Sequence, residues 1–147
     1  MPDYPPKLQE LLDDFSFITT REERADYLID IAERFQPVPD RIATRPYPPE
    51  CKVNFCESEA YVWVEPLPDG ALKFYFAVEN PQGVSAKAMA VILDETLSGA
   101  PLSQVAQVPP EIVLQIFGRE ISMGKGQGLM GMVSAVQNAA KQHLAKP

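Results

Sequence analysis

The chain of 147 residues has two cysteines, Cys51 and Cys56, and one histidine, His143. Two thiols cannot build a disulfide framework, and with a single imidazole they fall short of the ligand set of a structural zinc. No apolar run approaches the roughly 18 residues of a membrane span. The start, Met1-Pro2-Asp3-Tyr4-Pro5-Pro6, has neither the basic segment nor the apolar one of an export signal. The expected compartment is the cytoplasm, where thiols stay reduced. Positive charge is also scarce, 13 Lys+Arg against 20 Asp+Glu, for a net charge of −7. A negative surface repels phosphate backbones and anionic headgroups, so neither nucleic acid nor a membrane is an expected partner. The hydrophobic share of 46%, with 9% aromatic residues, is enough for a core, and one domain over 1–147 is expected.

Leu8, Leu11, Leu12 and Phe15 follow Pro5-Pro6 at the spacing of one buried helical stripe. Thr20-Arg21-Glu22-Glu23 has the form of a capping box, and Tyr27, Leu28, Ile31, Ala32 and Phe35 continue as an apolar face, which predicts a helix from about Arg21 to Phe35. Pro37, Pro39, Pro46, Pro48 and Pro49 remove backbone donors from the next stretch, which reads as an ordered loop or arm. Alternation over Ser58 to Val64 and over Leu72 to Val78, separated by Pro66-Leu67-Pro68-Asp69-Gly70, predicts an antiparallel hairpin with helices on at least one face. A helix through Ala86, Met89, Ala90, Leu93 and Leu97 stops at Ser98-Gly99. Short helices opened by Pro101 and by Pro109-Pro110 come next, the second ending near Phe117-Gly118. A last helix carries Met132, Val133, Val136, Ala140 and Leu144, with the glycine-dense run from Met123 to Gly131 as a flexible approach to it. The order predicts an α+β fold: a small antiparallel sheet built on a hairpin, flanked by N- and C-terminal helices.

Few residues carry chemistry. Gly126-Gln127-Gly128-Leu129-Met130-Gly131 satisfies G-x-G-x-x-G, but neither a preceding strand nor a following acidic residue completes a dinucleotide site. The bland reading is small residues for close packing; the functional one is a helix start whose free donors, beside Lys125, attract an anion or a thiolate. His143 stands alone and reads as a surface residue, and no G-x-S-x-G supports a hydrolase. Glu57 and Glu59 share a strand face without a second carboxylate wall, so surface charge is the default for both. Cys56 lies where the proline-rich loop gives way to the first strand, a place suited to presenting a side chain. Burial as a small hydrophobe is the ordinary fate of a lone cysteine, but the polar neighbours Glu57, Ser58 and Glu59 weigh against it. Reactivity needs the thiolate, which Glu57 disfavours and Lys52, Lys125 or backbone donors favour.

The run Cys56-Glu57-Ser58-Glu59-Ala60-Tyr61-Val62-Trp63 resembles the C-x-S-x-[small apolar]-[aromatic]-[aliphatic] signature of SufE-type sulfur acceptor proteins. Ala86-Lys87-Ala88-Met89-Ala90 with Leu97-Ser98-Gly99, and Gly128-Leu129-Met130-Gly131-Met132-Val133, are similar to further blocks of that family, in the same order. The resemblance implies a SufE/IscU-like fold, with Cys56 as the acceptor, Ser58 as its companion serine and Gly128 as the glycine that starts the last helix. Lys125 stands where the family usually has arginine, which keeps the charge and loses the bidentate fork. Phe55 replaces the usual glycine before the cysteine, and Pro81-Gln82 replace a usual Ser-Asp pair. Cys51 lies outside the family pattern and is read as an accident of a tolerant loop, or else as a secondary thiol.

The implied function is that of a sulfur carrier. The Cys56 thiolate takes persulfide sulfur from a SufS-like, PLP-dependent cysteine desulfurase and relays it to an iron–sulfur scaffold protein. The chain would then be a sulfurtransferase-type covalent carrier and desulfurase activator rather than a stand-alone enzyme, with no cofactor of its own, the PLP belonging to the partner. Two rivals remain: a non-catalytic adaptor or scaffold-like module, and a two-thiol redox protein using Cys51 and Cys56.

Overall fold

The computed structural model describes residues 3–54 and 58–146. In chain order these form α1 (Pro6–Ser16), α2 (Arg21–Ala32), a single 3-10 turn (Pro49–Cys51), β1 (Ala60–Pro66), β2 (Leu72–Val78), α3 (Val84–Leu97), α4 (Leu102–Val105), α5 (Ile112–Phe117) and α6 (Met123–Leu144). The class is α+β, as the patterning predicts.

Helix α1 opens on Pro6, whose fixed φ suits a first turn, and buries Leu8, Leu12 and Phe15. Helix α2 is capped by Thr20, whose hydroxyl accepts the Glu23 amide at 3.1 Å. It ends at Ala32 rather than Phe35. Beyond that point the bonds tighten to i+3, Arg34 N–H to Ile31 and Phe35 N–H to Ala32, before Pro37 forbids continuation.

The two strands pair antiparallel in a register that sets Val62 opposite Phe76 and Trp63 opposite Tyr75. Ala60, Leu72, Phe74, Phe76 and Val78 face inward and are buried. The Asp69 carboxylate accepts the Ala71 amide and Gly70 takes φ +90°, which closes the turn. Strand β1 starts at Ala60 instead of Ser58, because Glu59 has φ +54° and breaks the extended run.

Helix α3 is buried on nearly every side, from Ala86 through Leu97, and packs on β2 and on α1, α2 and α6. Its C-terminal end is tied to β2: the Gly99 amide donates to the Leu72 carbonyl at 2.9 Å, and the Ser98 hydroxyl accepts the Phe74 amide at 3.0 Å. Further along the same strand edge the Val38 amide donates to the Phe76 carbonyl at 2.8 Å. On the other edge the Val53 amide donates to Ala60 at 2.8 Å, and Lys52 is bridged to Tyr61. The proline-rich arm is ordered, as expected. It lies on the outer sheet face, with the Tyr47 ring 5.3 Å from Tyr61 and 5.1 Å from Trp63, and with Arg41 and Arg45 paired to Glu65 and Glu79.

One expectation is corrected. The glycine-dense run is the first part of α6, not an approach to it: Ser122 caps the helix and Met123 opens it, so Gly128 lies within the helix instead of starting it. Packing outweighs the low helix propensity of glycine here, since Gly126 and Gly128 are buried in the helix interior.

Leu93 is fully buried in α3. Leu93→Ala is expected to lower unfolding stability by about 2–5 kcal/mol, and Thr20→Ala by about 1 kcal/mol, in urea titrations.

Candidate functional site

The expected acceptor, Cys56, lies outside the described residues, as do Phe55 and Glu57. The residues on either side of them are anchored. Val53 is held to Ala60, the Ser58 carbonyl accepts the Asn80 amide at 3.1 Å, and the Glu59 carbonyl accepts the Glu79 amide at 3.1 Å. Two glycines bring helices against these anchors. A Cβ on Gly83, at the start of α3, would sit 2.8 Å from Val78 Cγ1 and 3.1 Å from Ser58 Cβ. One on Gly131 of α6 would sit 3.0 Å from both the Asn54 carbonyl oxygen and Val53 Cγ1. At either position a side chain would require the neighbouring residues to shift.

Between the two helices lies a cavity of about 170 Å³. Ser58 forms one side, the α3 start from Gly83 to Ala86 with Gln82 another, and Gly124, Lys125, Gly128 and Leu129 of α6 the third. First-turn amides have no acceptor within their own helix, and each helix start carries partial positive charge. Two such starts and Lys125 border a space in which, among the described lining residues, no side chain is acidic. Such a setting favours a thiolate or persulfide anion over its neutral form.

The structure therefore lines one cavity with Ser58, Lys125 and Gly128. It leaves the others apart. Cys51 sits half-buried in the 3-10 turn, where burial first and the Glu50 carboxylate second push its thiol pKa up. Glu59 is exposed, and His143 is half-buried in the last turn of α6, its Nδ1 2.9 Å from the Ala139 carbonyl. Gly83 and Ser85 escaped the sequence reading as site residues. The turn signal at Asn80-Pro81-Gln82-Gly83 marks the helix start, but not that it points at α6. Among the described residues no three His, Cys, Asp or Glu side chains group as metal ligands, and no helix is long and apolar enough to cross a membrane.

Comparison with known proteins defines the class first. Residues 9–140 match the family model SufE, described as an Fe-S metabolism associated domain. That span is most of the chain, and the chain belongs to the SufE family. Among similar proteins, SufE-like protein 1, chloroplastic/mitochondrial, of Arabidopsis thaliana is 27% identical over 137 residues, which are 92% of this chain. The chain spans only 35% of that plant protein's length. An uncharacterized SufE-like protein of Rhizobium etli is 24% identical over 94% of this chain and 92% of its own length. The solution structure of a hypothetical protein from Thermus thermophilus superposes with a TM-score of 0.74 at 25% identity, covering 98% of this chain and 100% of that one.

Two substitutions test the geometry. Gly131→Ala drives a methyl onto a backbone carbonyl and is expected to destabilise by about 1–3 kcal/mol. In Gly126→Ala the new methyl meets only Ile121 Cγ2, at 3.6 Å, and the change should stabilise by up to about 1 kcal/mol. Denaturant melts of both variants read the opposite signs.

In a Cys56→Ser background at neutral pH, Cys51 should be alkylated by iodoacetamide more slowly than an unstructured thiol, because its raised pKa leaves less thiolate. Glu50→Gln should speed the reaction.

Proposed function

We propose that this protein accepts sulfur onto Cys56 from the persulfide of a PLP-dependent cysteine desulfurase and relays it toward iron–sulfur cluster assembly. The observation that carries the reading is the position of Cys56 in the chain. In a SufE-family sequence, this thiol falls between two hydrogen-bonded residues, Val53 and Ser58, and Ser58 lines a cavity bordered by two helix starts and Lys125.

The Cys56 thiolate attacks the terminal sulfur of the donor persulfide. A sulfur–sulfur bond forms at Cys56, the donor's bond breaks, and its cysteine leaves as a thiolate while Cys56 carries the persulfide. Electrons balance without an outside oxidant or reductant. An anion held in the cavity beside Ser58 is favoured before and after transfer by the two helix starts and Lys125 that border it, and Ser58 and Ser85 line the same space.

Peptide mass spectrometry after incubation with a cysteine desulfurase and cysteine tests this. One added sulfur is expected on the Cys56 peptide, absent in Cys56→Ser and retained in Cys51→Ser. Equal labelling of both thiols, or none at Cys56, would overturn the assignment. Lys125→Glu is expected to slow loading about tenfold or more, as removal of a favourable charge and insertion of a repulsive one act together.

A further inference from the structure

A second cavity, of about 800 Å³, opens between α1, α2, α5 and the start of α6. Part of its wall is apolar, with Leu28, Leu114 and Phe117, yet its charged groups are Arg21, Arg24, Arg119 and Lys125 against one carboxylate, Glu120. In a chain with a net charge of −7 this is a local reversal of sign. Arg24 is committed to the fold, donating to the Gln115 and Ile116 carbonyls at 3.1 and 2.7 Å. Arg21, Arg119 and Lys125 are exposed, and among the described residues none of them belongs to an ion pair.

The surroundings are apolar as well. Phe17 and Met123 are each 80% exposed and Val84 is 43% exposed, although water contact is unfavourable for such large side chains. Phe17 lies between the lining residues Ser16 and Ile18, Met123 follows Ser122, and Val84 precedes Ser85. Ser85 and Lys125 line both this cavity and the smaller one beside Ser58, so the two are neighbours.

We infer that this face docks an acidic segment of the sulfur-donor protein, its carboxylates against Arg21 and Arg119 and an apolar side chain in the cavity. Naming the donor rests on the transfer proposed above; the surface itself does not. A protein segment fits better than a small anion for two reasons. The cations come from three separate elements instead of converging on one point, and a small anion would leave Phe17 and Met123 bare. The donor is favoured over other partners because whatever covers this face also reaches the mouth of the sulfur cavity through Ser85 and Lys125.

The test measures affinity between the full-length chain and a cysteine desulfurase from the same organism, with circular dichroism to verify folding. The double variant Arg21→Glu/Arg119→Glu is expected to raise Kd about tenfold or more, chiefly through a slower association that also loses its salt dependence. Arg21→Lys/Arg119→Lys should retain most of the affinity, and Met123→Asp should weaken it. Folded double variants with unchanged Kd, or no binding by the native chain, overturn the docking surface. So does cavity-dependent thermal stabilisation by inorganic phosphate together with unaltered desulfurase binding, which would mark a small-anion site. Loading of Cys56 by a low-molecular-weight persulfide is read separately. Failure there with docking intact counts against the acceptor role alone, whereas loading that persists in a double variant that no longer docks supports the surface.

Discussion

The arrangement around residues 54 and 58 depends on two places where a helix comes so close to its neighbour that an added Cβ would meet it at 3.1 Å or less. At Gly83 the limit is set by Val78 and Ser58, and at Gly131 by the backbone of Asn54. These contacts lie on opposite sides of residues 55–57. They fix α3 and α6 relative to both ends of that segment, and with them the cavity at the two helix starts. The hydrogen bonds at Val53, Ser58 and Glu59 hold the same ends to the hairpin. Geometry at the site is therefore imposed from outside it, by elements whose own position is set by burial of α3.

Electrostatics complement that frame. An acidic chain is a poor host for a thiolate, and the local charge near Cys56, with Glu57 beside it in sequence, does not favour one. Tertiary structure brings Lys125 and two helix starts to one cavity beside Ser58, while Glu59, at φ +54°, is exposed. The same first turn of α6 also borders the larger basic cavity, so a single short stretch from Ser122 to Lys125 serves both surfaces.

Much of this was legible in the sequence. Helical spacing in α1 and α3, the Thr20 cap and the alternation of the hairpin are local signals, and the structure follows them. Two boundaries were not local. Strand β1 loses Ser58 to a positive φ at Glu59 that its alternation does not reveal, and α6 gains its glycine-rich start because close packing rewards the very residues that helix propensity penalises. Of the residues singled out through the family resemblance, Ser58, Lys125 and Gly128 line one cavity. Gly83 and Ser85 had no such signal, because whether a helix start points at another helix is decided by how both pack. The grouping of Arg21 with Arg119, far apart in the chain, was invisible for the same reason.

A two-stranded ribbon ordinarily leaves both its borders open to a foreign strand. Here the outer border of β2 is taken up by Gly99, Ser98 and Val38, and that of β1 by Val53 and Lys52. Recruitment of another polypeptide by sheet extension is thereby closed off along these stretches. Along these stretches only side chains remain for contact with another polypeptide, and single replacements there leave the backbone ladder undisturbed.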